Sequence, residues 1–82
     1  MLQARRHERR AVFFPGRIEL GAESLPCTIT DISHAGARIL IFTTAFENLS
    51  RFTLRFTAPT LVLRKCVVRW RQAPYIGVEF QN

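Results

Sequence analysis

The sequence has little of what catalytic and metal-binding sites require. It contains one aspartate, Asp31, two histidines and two cysteines, and it has no CxxC motif. No nucleophile stands beside a base, no carboxylates are paired and no metal-ligand spacing occurs, so the sequence predicts neither an enzyme nor a metal protein. Cys27 and Cys66 each lie in an apolar run. This favours buried free thiols, while the alternative, a disulfide, needs an oxidising compartment.

Long apolar segments and targeting signals are also missing. No stretch reaches the roughly 18 apolar residues of a membrane-spanning helix, and the N-terminus runs into charge without the apolar core of a signal peptide. The 82 residues contain no repeat or low-complexity segment. A chain of this size forms one domain and supports a shallow binding surface more readily than a deep cavity. The sequence therefore predicts a cytoplasmic protein that is not inserted in a membrane and has no cofactor.

Arginine, with almost no lysine, carries the positive charge. The formal net charge is +6, and Lys65 is the one lysine among 12 basic residues. Arginine presents a planar, permanently charged fork that pairs with phosphate oxygens and stacks on bases. The composition therefore indicates an anionic partner, a phosphate compound or a nucleotide.

Short apolar segments separated by turn residues predict six β-strands. The predicted strands are residues 11–20, 26–32, 37–42, 51–56, 61–71 and 75–80. Their short, regular spacing predicts an all-β fold, a closed six-stranded antiparallel barrel, with a two-sheet sandwich as the alternative. Pro15-Gly16 predicts a kink or bulge in the first strand. Residues 46–50 leave room for a brief helical turn.

Two features of the sequence could bind an anion. Arg5, Arg6, Arg9 and Arg10 form an arginine-rich arm within residues 1–10, ahead of a barrel predicted for residues 11–82, and they give two RxxxR pairs. The four cations repel one another unless an anion joins them; the alternative is a solvated basic tail.

The second feature is the DxSxxG pattern of residues 31–36. The Asp31 carboxylate can accept from a guanine edge, the Ser33 hydroxyl can donate, and Gly36 permits positive φ and a close approach to a ligand. The alternative is an ordinary turn between two strands.

The order of these features resembles the PilZ domain family. The chain has RxxxR, then DxSxxG followed by an Ala-Arg-Ile strand, and it closes with CVVRWR at 66–71 and YIGVEF at 75–80. The resemblance covers essentially the whole chain. It implies a PilZ-type barrel that binds the bacterial second messenger cyclic di-GMP.

The resemblance also implies roles for particular residues. Arginines of RxxxR would clamp phosphates and guanine faces, either Arg6 with Arg10, favoured because Arg10 directly precedes the first strand, or Arg5 with Arg9. Asp31 and Ser33 of DxSxxG would form hydrogen bonds with guanine, and Gly36 would let the ligand lie against the backbone. Further candidates for ligand contact are His34, Ala35, Arg69, Trp70 and Arg71. In the strand predicted at 61–71, Trp70 falls on the same face as Val62, Cys66 and Val68. It is therefore either a core or rim residue of the barrel or a stacking platform for guanine.

Family members often carry a C-terminal helix over one end of the barrel, and here it is predicted to be short or absent. That leaves an uncapped end suited to a homodimer or to docking of a protein partner. The partner is not identified; motility, exopolysaccharide synthesis and virulence are outputs of the family. Two alternatives stay open, a barrel that binds single-stranded nucleic acid and a PilZ adaptor without a ligand. The first is disfavoured because the cations concentrate in the arm and the Phe side chains are expected to be buried.

Overall fold

The structure is a computed structural model and describes residues 8–42 and 48–81. These residues form six strands, β1 (Arg10–Leu20), β2 (Glu23–Ile32), β3 (Gly36–Leu40), β4 (Arg51–Thr57), β5 (Leu61–Gln72) and β6 (Tyr75–Gln81). All neighbouring strands pair antiparallel and close in the order β1-β2-β3-β6-β5-β4. The predicted closed barrel is confirmed, and the predicted strand ends lie within three residues of the observed ones.

The described residues contain no helix, and hence none long and apolar enough to cross a membrane. The helical turn predicted at 46–50 falls partly on residues 43–47, which lie outside the described residues.

Side chains that alternate along the strands fill the barrel. The completely buried large side chains are Ile18, Ile29, Ile39, Leu54 and Cys66. Both cysteines are buried and free, as predicted. Burial raises the pKa of both the Cys27 and the Cys66 thiol to about 12, so both stay protonated at neutral pH.

Strand β1 is irregular, but not where the sequence suggested. Its pairing with β2 shifts between Ala11 and Phe14, whereas Pro15 and Gly16 pair in regular register with Thr28 and Cys27. The prediction of a kink at Pro15-Gly16 was therefore wrong. Pro15 is tolerated because pairing with β4 begins only at Gly16, so the missing N–H removes no bond from that ladder.

The antiparallel order places the start of β1 and the end of β6 at one end of the barrel. Strands β1, β3 and β5 begin there, and β2, β4 and β6 end there. We call this the arm end, because Glu8 and Arg9, the described residues that precede β1, lie on this side. The DxSxxG turn between β2 and β3 lies at the same end, so the fold brings Arg9 and Arg10 of the predicted arm to the same end as the turn.

Candidate functional site

The DxSxxG turn is held by its own serine. The backbone N–H of Ser33 donates to the Gly36 carbonyl at 2.8 Å, and the Ser33 hydroxyl accepts from the N–H groups of Ala35 at 3.1 Å and Gly36 at 3.2 Å. The hydroxyl proton is directed at the Gly36 carbonyl, although the distance is a long 3.5 Å. Ser33 therefore fixes the turn that follows Asp31, which is the structural role that the sequence had offered as the alternative to ligand contact.

Gly36 is needed for strand packing and not for its φ angle. The one positive φ among the described residues belongs to Gly21. A Cβ at Gly36 would instead overlap the backbone carbonyl of Val78 on β6. Gly36 does not use the positive φ that a glycine permits, and instead lets β3 and β6 approach closely directly behind the turn.

A bulge in β2 turns Asp31 to the outside of the barrel. Ile29 pairs with Ile39, and the next pair is Asp31 with Arg38, so Thr30 is an extra residue on β2. Ile29 and Ile39 are completely buried. Such a bulge re-aims the side chains that follow it, and here it sets Asp31 beside Arg38 on the outer face.

The carboxylate of Asp31 lies against the arm. Arg9 Nε is 3.2 Å from Asp31 Oδ1, and the two side chains are 39% and 23% exposed. Oδ1 is shielded from solvent and has no hydrogen bond, because Arg9 meets it at ion-pair distance without hydrogen-bond direction. A shielded acceptor without a donor costs about 1–3 kcal/mol. Asp31 therefore has unused capacity to accept a hydrogen bond.

The four arginines of the arm are placed differently. Arg9 contacts Asp31, whereas Arg10 pairs with Ile32 in the β1–β2 ladder and lines a cavity at the arm end. Arg5 and Arg6 lie outside the described residues. Beside Asp31 the structure therefore puts Arg9, the second arginine of the Arg5/Arg9 register, and not Arg10.

Trp70 lies on the outer face, in line with Asp31. A bulge between Val68 and Trp70 reverses the parity of β5, so the grouping of Trp70 with the core residues Cys66 and Val68 was wrong. Trp70 is 43% exposed, and its indole occupies the space where a side chain at Gly77 would lie. Gly77 pairs with Arg38, so one cross-strand row runs from the indole to the carboxylate.

Arg38 stands in the middle of this row, and the sequence analysis missed it. Its Nε donates to Thr30 Oγ1 at 3.1 Å, and its guanidinium carbon lies 5.0 Å from the centre of the Tyr75 ring. These contacts hold the guanidinium against Thr30 and over the Tyr75 ring, on the residue that pairs with Asp31 in the ladder. The signal was a cation two residues after the DxSxxG glycine, on the strand that must pair with Asp31.

The remaining candidates lie away from Asp31 or serve the turn. Arg69 makes a 2.6 Å ion pair with Glu79, and Arg71 pairs with Ile76 in the ladder beyond Trp70. The Ala35 carbonyl accepts from the Phe80 N–H at 2.7 Å, which ties the turn to β6. His34 is exposed at the turn.

Comparison with known proteins agrees with this architecture. The model of the PilZ domain matches residues 3–82. The chain belongs to the PilZ domain family. Among solved structures, the inhibitor of motility MotI/DgrA of Bacillus subtilis superposes with a TM-score of 0.79 at 16% identity, covering 99% of this chain and 44% of that one. This chain thus spans less than half of that protein. The search of curated protein sequences found none significantly similar to this chain.

The candidate residues of this PilZ domain fall into two groups. Arg9, Asp31, Arg38 and Trp70 share the outer face near the arm end, while Arg10, Ser33 and His34 line the cavity at that end. No group of three His, Cys, Asp or Glu residues within 8–42 and 48–81 could hold a metal ion. PilZ domains are typically binding or adaptor domains and not enzymes.

Proposed function

We propose that this PilZ domain is a receptor for cyclic di-GMP. One observation carries the proposal: a solvent-shielded carboxylate oxygen of Asp31 lacks a hydrogen bond, with the Arg9 guanidinium beside it and Arg38 as its partner on the neighbouring strand. A guanine base supplies what this site lacks, because its N1–H and N2–H groups are two parallel donors that match a carboxylate. The phosphates of the same ligand match the arginines.

Each residue of the outer face has a role in the proposed complex. Asp31 accepts from the guanine edge and Arg9 moves from Asp31 to a phosphate. Arg38 lies within reach of the guanine O6 and N7 acceptors, and Trp70 offers its exposed ring for stacking. The position of Arg9 favours the register of Arg5 with Arg9 over that of Arg6 with Arg10.

The residues of the turn support the site without needing to touch the ligand. Ser33 and Ala35 hold the turn by backbone hydrogen bonds, and Gly36 brings it against β6. Three or four charge-assisted hydrogen bonds, less the cost of ordering the ligand and the arm, give a binding free energy near about −8 kcal/mol. This corresponds to micromolar affinity.

In the proposed signalling step, the arm of residues 1–10 orders over the ligand and changes the surface offered to a protein partner in the cytoplasm. MotI/DgrA is titled an inhibitor of motility. We therefore take motility as the first output to examine, followed by exopolysaccharide synthesis and virulence.

A titration with cyclic di-GMP tests the proposal. Trp70 is the single tryptophan, so its fluorescence reports on the site directly. We expect saturable binding with a change in indole emission, while GTP and a single-stranded oligonucleotide of equal phosphate concentration give much weaker signals. If calorimetry detects no binding of cyclic di-GMP at high micromolar concentration in low salt, the proposed function is wrong.

One observation favours a second candidate function, binding of single-stranded nucleic acid. The expectation that the Phe side chains are buried is wrong for Phe13, which is 77% exposed, and for Phe42, which is 84% exposed. Exposed aromatic rings on a protein with a net positive charge suit base stacking. The salt dependence separates the two: a polymer releases many counterions and gives a steep slope of affinity against salt, whereas a ligand with two phosphates gives a shallow one.

A further inference from the structure

The arm end of the barrel opens into a cavity with largely apolar walls, which also includes Arg10, Ser33 and His34 of the two predicted binding motifs. Its volume is about 370 Å³, and five of the six strands contribute to it, all except β3. The apolar lining residues are Val12, Phe14, Ile32, Phe56, Ala58, Val62 and Phe80. Phe14 and Phe56 stack with their ring centroids 6.1 Å apart. The mouths of barrels are common positions for small-molecule sites, and such sites begin at about 300 Å³.

The rim of this cavity is cationic and its charges are not neutralised. Arg10 and Arg64 line it, and no aspartate or glutamate does. Arg64 donates to the carbonyl of its neighbour Leu63 at 3.0 Å. Among the described residues, neither of these two arginines lies within ion-pair distance of a carboxylate.

Three other arginines are paired with carboxylates, whereas no ion pair among the described residues involves Arg17, Arg38, Arg51 or Arg71. Arg9, Arg55 and Arg69 each meet an acidic side chain. The cavity therefore combines largely apolar walls with two guanidinium groups that have no carboxylate partner within residues 8–42 and 48–81, and its complement is an anion with an apolar body.

We propose that this cavity binds a medium-chain carboxylate, with the alkyl chain between the aromatic walls and the carboxylate at Arg10 and Arg64. A second copy of the chain fits less well, because two cationic rims would face each other across the contact. The proposal does not rest on cyclic di-GMP binding, since the walls lie inside the barrel mouth and Asp31, Arg38 and Trp70 lie on the outer face.

Titration with sodium hexanoate, octanoate and decanoate, each below its critical micelle concentration and without nucleotide, tests the proposal. A buried methylene contributes about 0.8 kcal/mol, so we expect affinity to rise by up to about fourfold for each added methylene. The ¹H–¹⁵N spectrum should shift at Val12, Ile32 and Phe80 and remain unchanged at the opposite end of the barrel. Acetate should produce no such shifts.

Variants separate a built site from general adsorption. Arg64→Gln should weaken decanoate binding by about fivefold, in keeping with a partly exposed charge pair. The matched control is Arg51→Gln, which removes an exposed cation at the far end of β4 and should leave binding unchanged. Val62→Trp should fill the cavity and abolish binding.

Three results would overturn the proposal. The first is absence of saturable binding by decanoate, and the second is an affinity that does not depend on chain length. The third is an equal loss of affinity in Arg64→Gln and Arg51→Gln, which would mean that the carboxylate responds only to net charge. Because these measurements contain no nucleotide, failure here leaves the outcome of the cyclic di-GMP titration unaffected.

Discussion

Replacing Asp31 by Asn isolates the group on which nucleotide recognition is proposed to depend. The amide keeps the size of the side chain but substitutes an NH₂ donor for one acceptor oxygen, so a donor would face the donors of guanine. The charge that strengthens the remaining hydrogen bond also disappears. Losing one charge-assisted interaction costs about 1.5–3 kcal/mol. We therefore expect the Kd for cyclic di-GMP to rise by roughly 10- to 150-fold.

The same substitution should hardly change the stability of the fold. The ion pair between Arg9 and Asp31 is partly exposed, and such pairs contribute at most about 1 kcal/mol. Asn also replaces a charged group that is partly shielded from solvent by a neutral one, which costs less to shield and so offsets part of that loss. Urea unfolding should show a change in the free energy of unfolding below about 1 kcal/mol.

Calorimetry of Asp31→Asn at one fixed salt concentration measures the effect, with Glu19→Gln as the matched control. Glu19 also forms an ion pair, at 3.4 Å with Arg55, but it is near the end of β1 opposite the arm end. The control should bind like the wild type. An Asp31→Asn protein that is folded and binds cyclic di-GMP within twofold of the wild type would refute the assignment of Asp31.

Three other predictions follow from particular contacts. Arg9→Gln should weaken cyclic di-GMP binding by about 1 kcal/mol more than Arg10→Gln does, measured by calorimetry; equal losses would contradict the Arg5/Arg9 register. Gly36→Ala should lower the free energy of unfolding, measured in urea, by about 3 kcal/mol or more, because the added methyl overlaps the Val78 carbonyl. A change below about 1 kcal/mol would show that β3 and β6 can separate there. At pH 8, Cys27 and Cys66 of the folded protein should react with iodoacetamide more than about a thousandfold slower than a free thiol, because burial raises the pKa of each to about 12. Urea should restore fast labelling. Fast labelling of the native protein would disprove the burial of the two thiols.

The regular parts of the barrel could be predicted from the sequence because alternation of apolar residues directly reports which side chains face inward. Phe52, Leu54 and Phe56 on β4 illustrate this, since all three are buried. The strand order also determines where the motif residues lie. Because β1 begins at the end of the barrel where β2 ends, Arg9 and Arg10 lie at the same end as the DxSxxG turn.

The irregular parts could not be predicted because a bulge has no reliable sequence signal. One extra residue reverses the parity of every residue after it, which is why Trp70 was grouped with the core. The bulge at Thr30 also determines which strand neighbour Asp31 meets, so the importance of Arg38 became visible only with the register. The packing role of Gly36 could not be predicted because the side-chain overlap that it avoids involves β6, more than 40 residues away in sequence.

The contact between Trp70 and Gly77 makes the two positions interdependent. The Trp70 ring occupies the space that any larger side chain at position 77 would need. A larger residue at 77 is therefore compatible only with a smaller residue at 70. Gly77→Ala alone should expel the indole, while the same change combined with Trp70→Ala should be tolerated. The glycine of the closing YIGVEF segment thus leaves the space on β6 that the Trp70 ring of β5 occupies.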